Sequence, residues 1–600
     1  MQWTQVTDPF HHLQLSALVA AIPVFFIFWA LIIKKMKGWQ ASLLTMVIAL
    51  VIALAVYRMP ADLALLSAFH GALYGFFPIC WIIIPALFLF NITVRSGQFE
   101  VIRNCMAALT SDRRLQVLLI AFSFGAFLEG TAGFATPVVI TAAMLFSLGF
   151  DPLYAAGICL IANTAPVAFG SVGIPIIVAA HVSGLPEMPI SQLVGRTLPF
   201  LSLALPFYMV VLTAGWRRSL EVWPATLVSG LSFALFQWLC SNFMGPMLPD
   251  IIAGIASIIC LLVLLRWWKP RSVWRFRDEP AGVTGEAGGD VAGGDGMRAL
   301  RYTRGQIIKA LSPFIIMTLL VIGWGIQPVK DALNAAGEFL WHIPGLDQRI
   351  VTASGGTLLS QVFHFNLLSA SGTAIFFTAV IIVPVLGLSY RAAAGIFLAT
   401  LKQLKFPIIT ICSVLGFTYI SNNAGMSDTM ARALAATGVL FPFFAPVLGW
   451  LGVFITGSDT SSNALFVRLQ RVTAQTIGVD PAVTVAANCS GGVVGKMISP
   501  QSIAVAAAAG GLIGQESRLF RFTVKHSFIL LMVICCLVAA QAYLFKGLIP
   551  SYTLTTGAAV TTVAPDAARG YRYLLVLGLV VVGVVSGILL VTRKRVMAVE

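Results

Sequence analysis

The sequence predicts an all-α polytopic membrane protein of about 13 transmembrane spans plus two re-entrant hairpins arranged as an inverted repeat. Three observations carry that expectation. Of 600 residues, 58% are hydrophobic and only 10% are charged, with a mean hydropathy of +0.92, so the polar surface is too small to keep a folded chain of this size in water. Apolar runs of the roughly 17–25 residues needed to cross a bilayer recur along nearly the whole length. Two of the runs are broken by polar, glycine-rich stretches, around 129–163 and 458–496, and these stretches resemble each other.

The net charge of +15 does not indicate nucleic acid. Lys and Arg sit in short clusters beside apolar runs, which is the positive-inside pattern. Nine cysteines occur, most of them within apolar runs (Cys80, Cys159, Cys260, Cys412, Cys535, Cys536) and without metal-ligand spacing. They read as buried thiols, and no metal or cofactor is expected. The first apolar run has no basic stretch before it and Lys34, Lys35 and Lys37 after it, so it reads as a retained helix rather than a cleaved leader.

Placing the basic clusters in the cytoplasm orders the elements. The N-terminus starts outside, in the periplasm. Spans at 15–33, 41–57 and 70–94 lead to the cluster between Arg95 and Arg114. The stretch 115–150 is too long for one crossing and carries EGTAGFATP at its centre, so it reads as a hairpin entered from the cytoplasm. A broken span at 154–180 and a return at 197–215 reach Arg217 and Arg218. Spans at 223–240 and 250–268 then lead to 269–309, a Gly-, Asp- and Arg-rich cytoplasmic linker. Beyond it come spans at 310–327, 371–389 and 406–420, a second hairpin at 440–471 opening outside, a broken span at 482–510, and spans at 526–546 and 571–592. Arg593, Lys594 and Arg595 place the C-terminus in the cytoplasm, whereas Arg468 and Arg471 are left outside against the rule. The chain thus divides into a first membrane half (1–268), the linker (269–309), a second, inverted half (310–546) and a C-terminal span with its tail (547–600).

The repeat aligns GAFLEGTAGF from Gly125 with GVFITGSDTS from Gly452. Downstream, Asp151 and Pro152 match Asp480 and Pro481, Ala162 and Asn163 match Ala487 and Asn488, and Pro175 matches Pro500. In an inverted repeat, broken helices from both halves meet near the midplane and present helix N-termini to an anion. Glu129, flanked by Phe127, Leu128 and Phe134, is the best candidate for a proton-carrying acid, because a carboxylate in lipid must be paired, hydrated or protonated; a structural acid accepting backbone N–H bonds is the plainer reading. Asp459, among Ser458, Thr460, Ser461, Ser462 and Asn463, either binds ligand or proton or caps the hairpin's second arm. Lys496 is the cation a carboxylate would meet, with snorkelling to an interface as the alternative. Thr131, Asn163, Asn488 and Ser499 either satisfy backbone groups at the breaks or contact ligand. His70, His181, His364 and His526 lie near segment ends and read as interfacial. Glu129 faces Thr456, while Asp459 and Lys496 face the uncharged Ala132 and Ser171.

At these residues the sequence resembles the bacterial lactate permease family. The resemblance rests on GAFLEGTAGFATPVVI (125–140), LIANTAPVAFGSVGIPI (160–176), NLLSASGTAIF (366–376), TGSDTSSNALF (456–466) and ANCSGGVVGKMISPQSIA (487–504), and runs almost end to end. Departures are Ala135, where the family has glycine, and a longer linker. The resemblance implies uptake of lactate, often of glycolate, with protons across the bacterial inner membrane, and an elevator-like motion like that of related ion transporters. On that expectation the ligand carboxylate meets Lys496, its hydroxyl meets the Ser/Thr/Asn cluster, and Glu129 carries the proton. A sodium-coupled carrier of di- or tricarboxylates is the rival, since Asp459 and its hydroxyls could hold a cation. A membrane-embedded enzyme or sensor has no metal-ligand set, nucleophile constellation or signalling domain in its favour.

Overall fold

The computed structural model describes residues 2–552 apart from 35, 108, 134–135, 277–301, 353–357, 510–511 and 513–514. The expected span at 571–592, most of the linker and Ala135 lie outside the described residues. Those residues form a predominantly helical protein with 10 helices long and apolar enough to cross a membrane, or up to 12 if two bent pairs each count as one. Two helices run well beyond the expected windows: 70–94 lies within Ala61–Arg95, and 406–420 within Tyr390–Ala424, each of 35 residues. Lys402 and Lys405 shorten the apolar window in the second case. Both are exposed, so their long stems leave the charges in contact with solvent or headgroups and the helix continues through them.

The fold is not purely α. Trp3–Thr4 pairs in parallel with Ile350–Val351, and Phe339–His342 pairs antiparallel with Val362–Phe365. Phe339–His342, Ile350–Val351 and Val362–Phe365 occupy the segment between the helices ending at Gly337 and beginning at Ser371, where no sequence element was expected. They rest against buried Ile343, Leu346, Ile350 and Phe363.

Both broken regions are real breaks. The first hairpin comprises Arg113–Thr131 and Thr136–Ser147; then Pro152–Ala162 and Val167–Ser183 meet at 63°. The second comprises Phe441–Thr456, Asp459–Ile477, Pro481–Lys496 and Pro500–Ala509. The third helix of each set starts in the same way. Asp151 accepts from the N–H groups of Leu153 and Tyr154, and Asp480 from that of Ala482, each followed by proline at the first helical position. An aspartate cap and a proline lacking its N–H both suit a helix start.

The two sets also pack reciprocally. Thr136–Ser147 lies against Pro500–Ala509, and its counterpart Asp459–Ile477 lies against Gly170–Ser183. Beside them, Tyr390–Ala424 packs on Gly38–Ala55 and Ala61–Tyr74 to form a separate wall. Three basic clusters come together away from the breaks: Arg114 donates to Asp112, to Glu221 at 2.8 Å, and to the carbonyls of Arg218 and Ser272. The positions that broke the charge rule are held by protein. Arg468 pairs with Asp428 at 3.7 Å, and the Arg471 guanidinium donates to the Ser183 carbonyl.

Candidate functional site

A cavity of about 620 Å³ lies where the two broken sets meet the wall. Glu129, Gly170 and Ser171 reach it from the first set, and Thr456, Gly457, Ser458, Asp459, Thr460, Ser461 and Lys496 from the second. Trp39, Phe406 and Ile411 supply an apolar side from the wall. The first turns of Asp459–Ile477 and Pro500–Ala509 also face it, through Asp459, Thr460, Ser461, Pro500 and Gln501. Helix N-termini favour an anion there.

Lys496 is the last residue of its helix, where a cation complements the dipole. Its Nζ donates to the carbonyl of Gly457 at 2.9 Å, at the left-handed turn that ends Phe441–Thr456. The side chain is buried rather than drawn out to an interface. Its charged neighbours are Glu129 and Asp459. One cation therefore serves two acids where the dielectric is low and each uncompensated charge is costly.

Glu129 is 3% exposed, and its Oε2 has no hydrogen-bond partner among the described residues. Its carboxylate lies on the bare Cα of Gly170, where a Cβ would sit 2.7 Å from Oε1. Next to it in the first set, Ser171, Val172 and Gly173 all take left-handed conformations, a costly backbone for a β-branched residue such as Val172. Asp459 is likewise 3% exposed. The cap of its helix is Ser458, which accepts from the Ser461 N–H at 3.3 Å, so Asp459 is not spent on capping. Its Oδ2 accepts from Asn463 at 3.4 Å, and Oδ1 is without a partner among the described residues. A Cβ on Gly492 would overlap that oxygen.

Of the expected site residues, Glu129, Lys496, Ser458, Asp459, Thr460 and Ser461 come together at the cavity. Asn163 lies beside Glu129 as the polar side chain that faces its carboxyl, short of full hydrogen-bond geometry. Thr131, Asn488 and Ser499 are engaged elsewhere. Thr131 donates to the carbonyls of Phe127 and Leu128, Asn488 donates to Asn463 at 2.8 Å, and Ser499 donates to Ser502 at 2.8 Å. Asn463 also donates to the carbonyl of Pro175 at 3.0 Å, tying the second hairpin to the first broken helix.

The histidines need correction. His70 and His526 are 2% and 5% exposed rather than interfacial: His70 contacts Gln361 at 3.0 Å and His526 contacts Tyr208. Long-range packing against other helices encloses positions that lie near segment ends in sequence. Sequence reasoning also missed Asp250, 1% exposed and an ionisable neighbour of Glu129. Its signal was an acid directly after Pro249 at the start of an apolar run.

Residues 16–545 match the model of the L-lactate permease family. The chain belongs to the L-lactate permease family. Within it, the chain is 53% identical over 568 residues to the L-lactate permease of Bacillus subtilis (strain 168), covering 92% of this chain and 100% of that relative. It is 50% identical over 562 residues to the glycolate permease GlcA of Escherichia coli (strain K12), with coverage of 92% and 100%, and 49% identical over 558 residues to an L-lactate permease of the same organism, with coverage of 91% and 100%. Among solved structures, the YdaH transporter of Alcanivorax borkumensis aligns over 80% of this chain and 89% of its own at 14% identity, with a TM-score of 0.41. As a member of this family the chain is a multi-pass membrane permease, and every residue lining the cavity lies within the stretch that the family model matches.

Proposed function

We propose that the protein takes up lactate, and glycolate with it, by proton symport across the bacterial cytoplasmic membrane. The observation that carries this reading is Lys496, buried between Glu129 and Asp459 at a cavity rimmed by hydroxyls. The ligand carboxylate meets Lys496 and the two helix N-termini, and its hydroxyl meets Ser458, Thr460 and Ser461. The apolar wall receives the lactate methyl. One methyl is worth only about 1 kcal/mol, so glycolate is accepted too, in line with the names of the similar permeases.

Coupling follows from the shared cation. Once a carboxylate ligand occupies Lys496, Glu129 loses its counter-charge, and an uncompensated buried carboxylate is costly enough to draw a proton. Asp459 shares Lys496 and is the other candidate. For the cycle, two inverted repeats move elevator-like against the wall. Reciprocal packing of the repeats and the Asn463 tie between them support a unit that moves together. The joined basic clusters support a common cytoplasmic face. Pairing of Trp3–Thr4 with Ile350–Val351 supports a periplasmic N-terminus beside the loop expected outside.

Proteoliposomes holding the purified protein test the reading. An inward proton gradient should drive lactate accumulation without sodium, and Glu129→Gln should abolish it. Full accumulation by that variant, with loss in Asp459→Asn, would move the proton to Asp459. Dependence on sodium in place of the proton gradient would support the rival carrier.

A further inference from the structure

Asp250 stands in the first turn of Pro249–Trp267, where an aspartate ordinarily accepts backbone N–H bonds. It accepts none: both carboxyl oxygens are buried without a hydrogen-bond partner among the described residues. A Cβ on Gly130, the residue after Glu129, would sit 2.9 Å from Asp250 Cβ, so the hairpin backbone lies directly on this acid. Its surroundings hold no cation among the described residues. The facing titratable groups are Glu129 and the Cys240 thiol, and Lys496 is a charged neighbour of Glu129. The polar neighbour Gln237 has one Nε2 N–H on the Ala165 carbonyl at 3.0 Å and its Oε1 accepting from Ser202 at 2.8 Å, so its second N–H is the one neutral donor beside Asp250 among the described residues, and it brings no charge to balance a carboxylate.

We infer that Asp250 holds a proton and donates it as a hydrogen bond to Glu129 when Glu129 is ionised. Two adjacent buried carboxylates without a cation for one of them are mutually destabilising, so the outer of the pair stays neutral. A neutral carboxyl gains an O–H donor. Glu129 Oε2 lacks a donor of its own, and an O–H to carboxylate bond is among the stronger hydrogen bonds. The consequence is functional: a buried acid that binds a proton outside must also release it inside, and a donor that stabilises the ionised form makes release feasible. Asp250 is thus a positioning residue for proton release.

This inference rests on Glu129 as the proton carrier, and one set of measurements separates the two. Lactate uptake is recorded against pH in proteoliposomes, normalised to lactate counterflow by the same vesicles. Asp250→Val, which removes the donor, should shift the half-maximal pH toward alkaline by about one unit, a tenfold change in proton affinity. Asp250→Asn keeps an N–H donor and should shift it by less than half as much. An unmoved profile in Asp250→Val, or an acid shift, overturns the inference; the acid shift would show an ionised Asp250 repelling the Glu129 charge. If Asp250→Val is not inserted, infrared titration of the unmodified protein decides. A protonated-carboxyl band should persist at neutral pH without lactate, and its absence overturns the inference. Gradient-driven accumulation surviving in Glu129→Gln would instead sink the carrier assignment, whatever Asp250 does.

Discussion

The first broken set brings to the cavity one acid whose Oε2 has no hydrogen-bond partner among the described residues and a left-handed stretch that opens at Ser171, while Asp250 of the neighbouring helix Pro249–Trp267 is pressed behind that acid. The second brings an acid with Asn463 on one oxygen, a serine-capped helix start and the lysine. Similar sequences thus build similar tips, each with a carboxylate laid on a glycine, Glu129 on Gly170 and Asp459 on Gly492. The difference teaches where the two tasks are separated. On the proposed reading, the set with a cation and hydroxyls holds the anion, and Glu129, backed by Asp250, holds and releases the proton.

Removing the lysine should produce the largest effect. Lys496→Ala leaves two buried acids without their cation, a loss of about 3–5 kcal/mol, so lactate uptake should fall more than 100-fold while proton leak stays at background. Retention of most uptake would assign anion binding to the helix termini alone. The glycines come next. Gly492→Ala forces a methyl into Asp459, and overpacking of this kind costs about 1–3 kcal/mol, so uptake should drop roughly tenfold or more. Gly170→Ala, with its 2.7 Å contact, should cost less and should alter the pH profile more than the lactate KM. Equal losses with unchanged pH profiles would erase the proposed division between the sets. The smallest contrast lies in the hydroxyls. Thr460→Val removes a cavity-facing donor and should raise the lactate KM by about five- to tenfold, the worth of one hydrogen bond near 1 kcal/mol. Thr131→Val removes only bonds within its own helix turn and should leave KM within about twofold. The opposite order would exchange the roles of the two tips.

Much of the cavity was legible because its chemistry violates the composition around it. A glutamate among phenylalanines and a lysine among glycines are expensive in a membrane, so each identifies itself within a few neighbouring residues. The hydroxyl choice was half legible. TGSDTSSN placed Ser458, Thr460 and Ser461 correctly at a tip, but Thr131, Asn488 and Ser499 belong to the same motifs and are consumed by backbone or side-chain partners. Which oxygen is spent and which is offered depends on rotamer and packing. Asp250 was invisible for a different reason: it reads as the edge of a span, and only the packing of Pro249–Trp267 on the first hairpin brings it to Glu129. The same holds for Trp39 and Phe406, which read as ordinary lipid-facing or packing aromatics and instead line the cavity.

By itself the sequence determined the membrane class, the breaks and the Asp-Pro helix starts. Each follows from properties of contiguous residues: apolar length, helix-breaking glycine and proline, and a side chain capping its own neighbours. Only the tertiary structure decided that one lysine serves two acids from different sets, that the cavity has an apolar side from a separate wall, and that a third acid lies behind Glu129. Those relations depend on distances between segments remote in the chain, and helix packing sets such distances while local pattern does not record them.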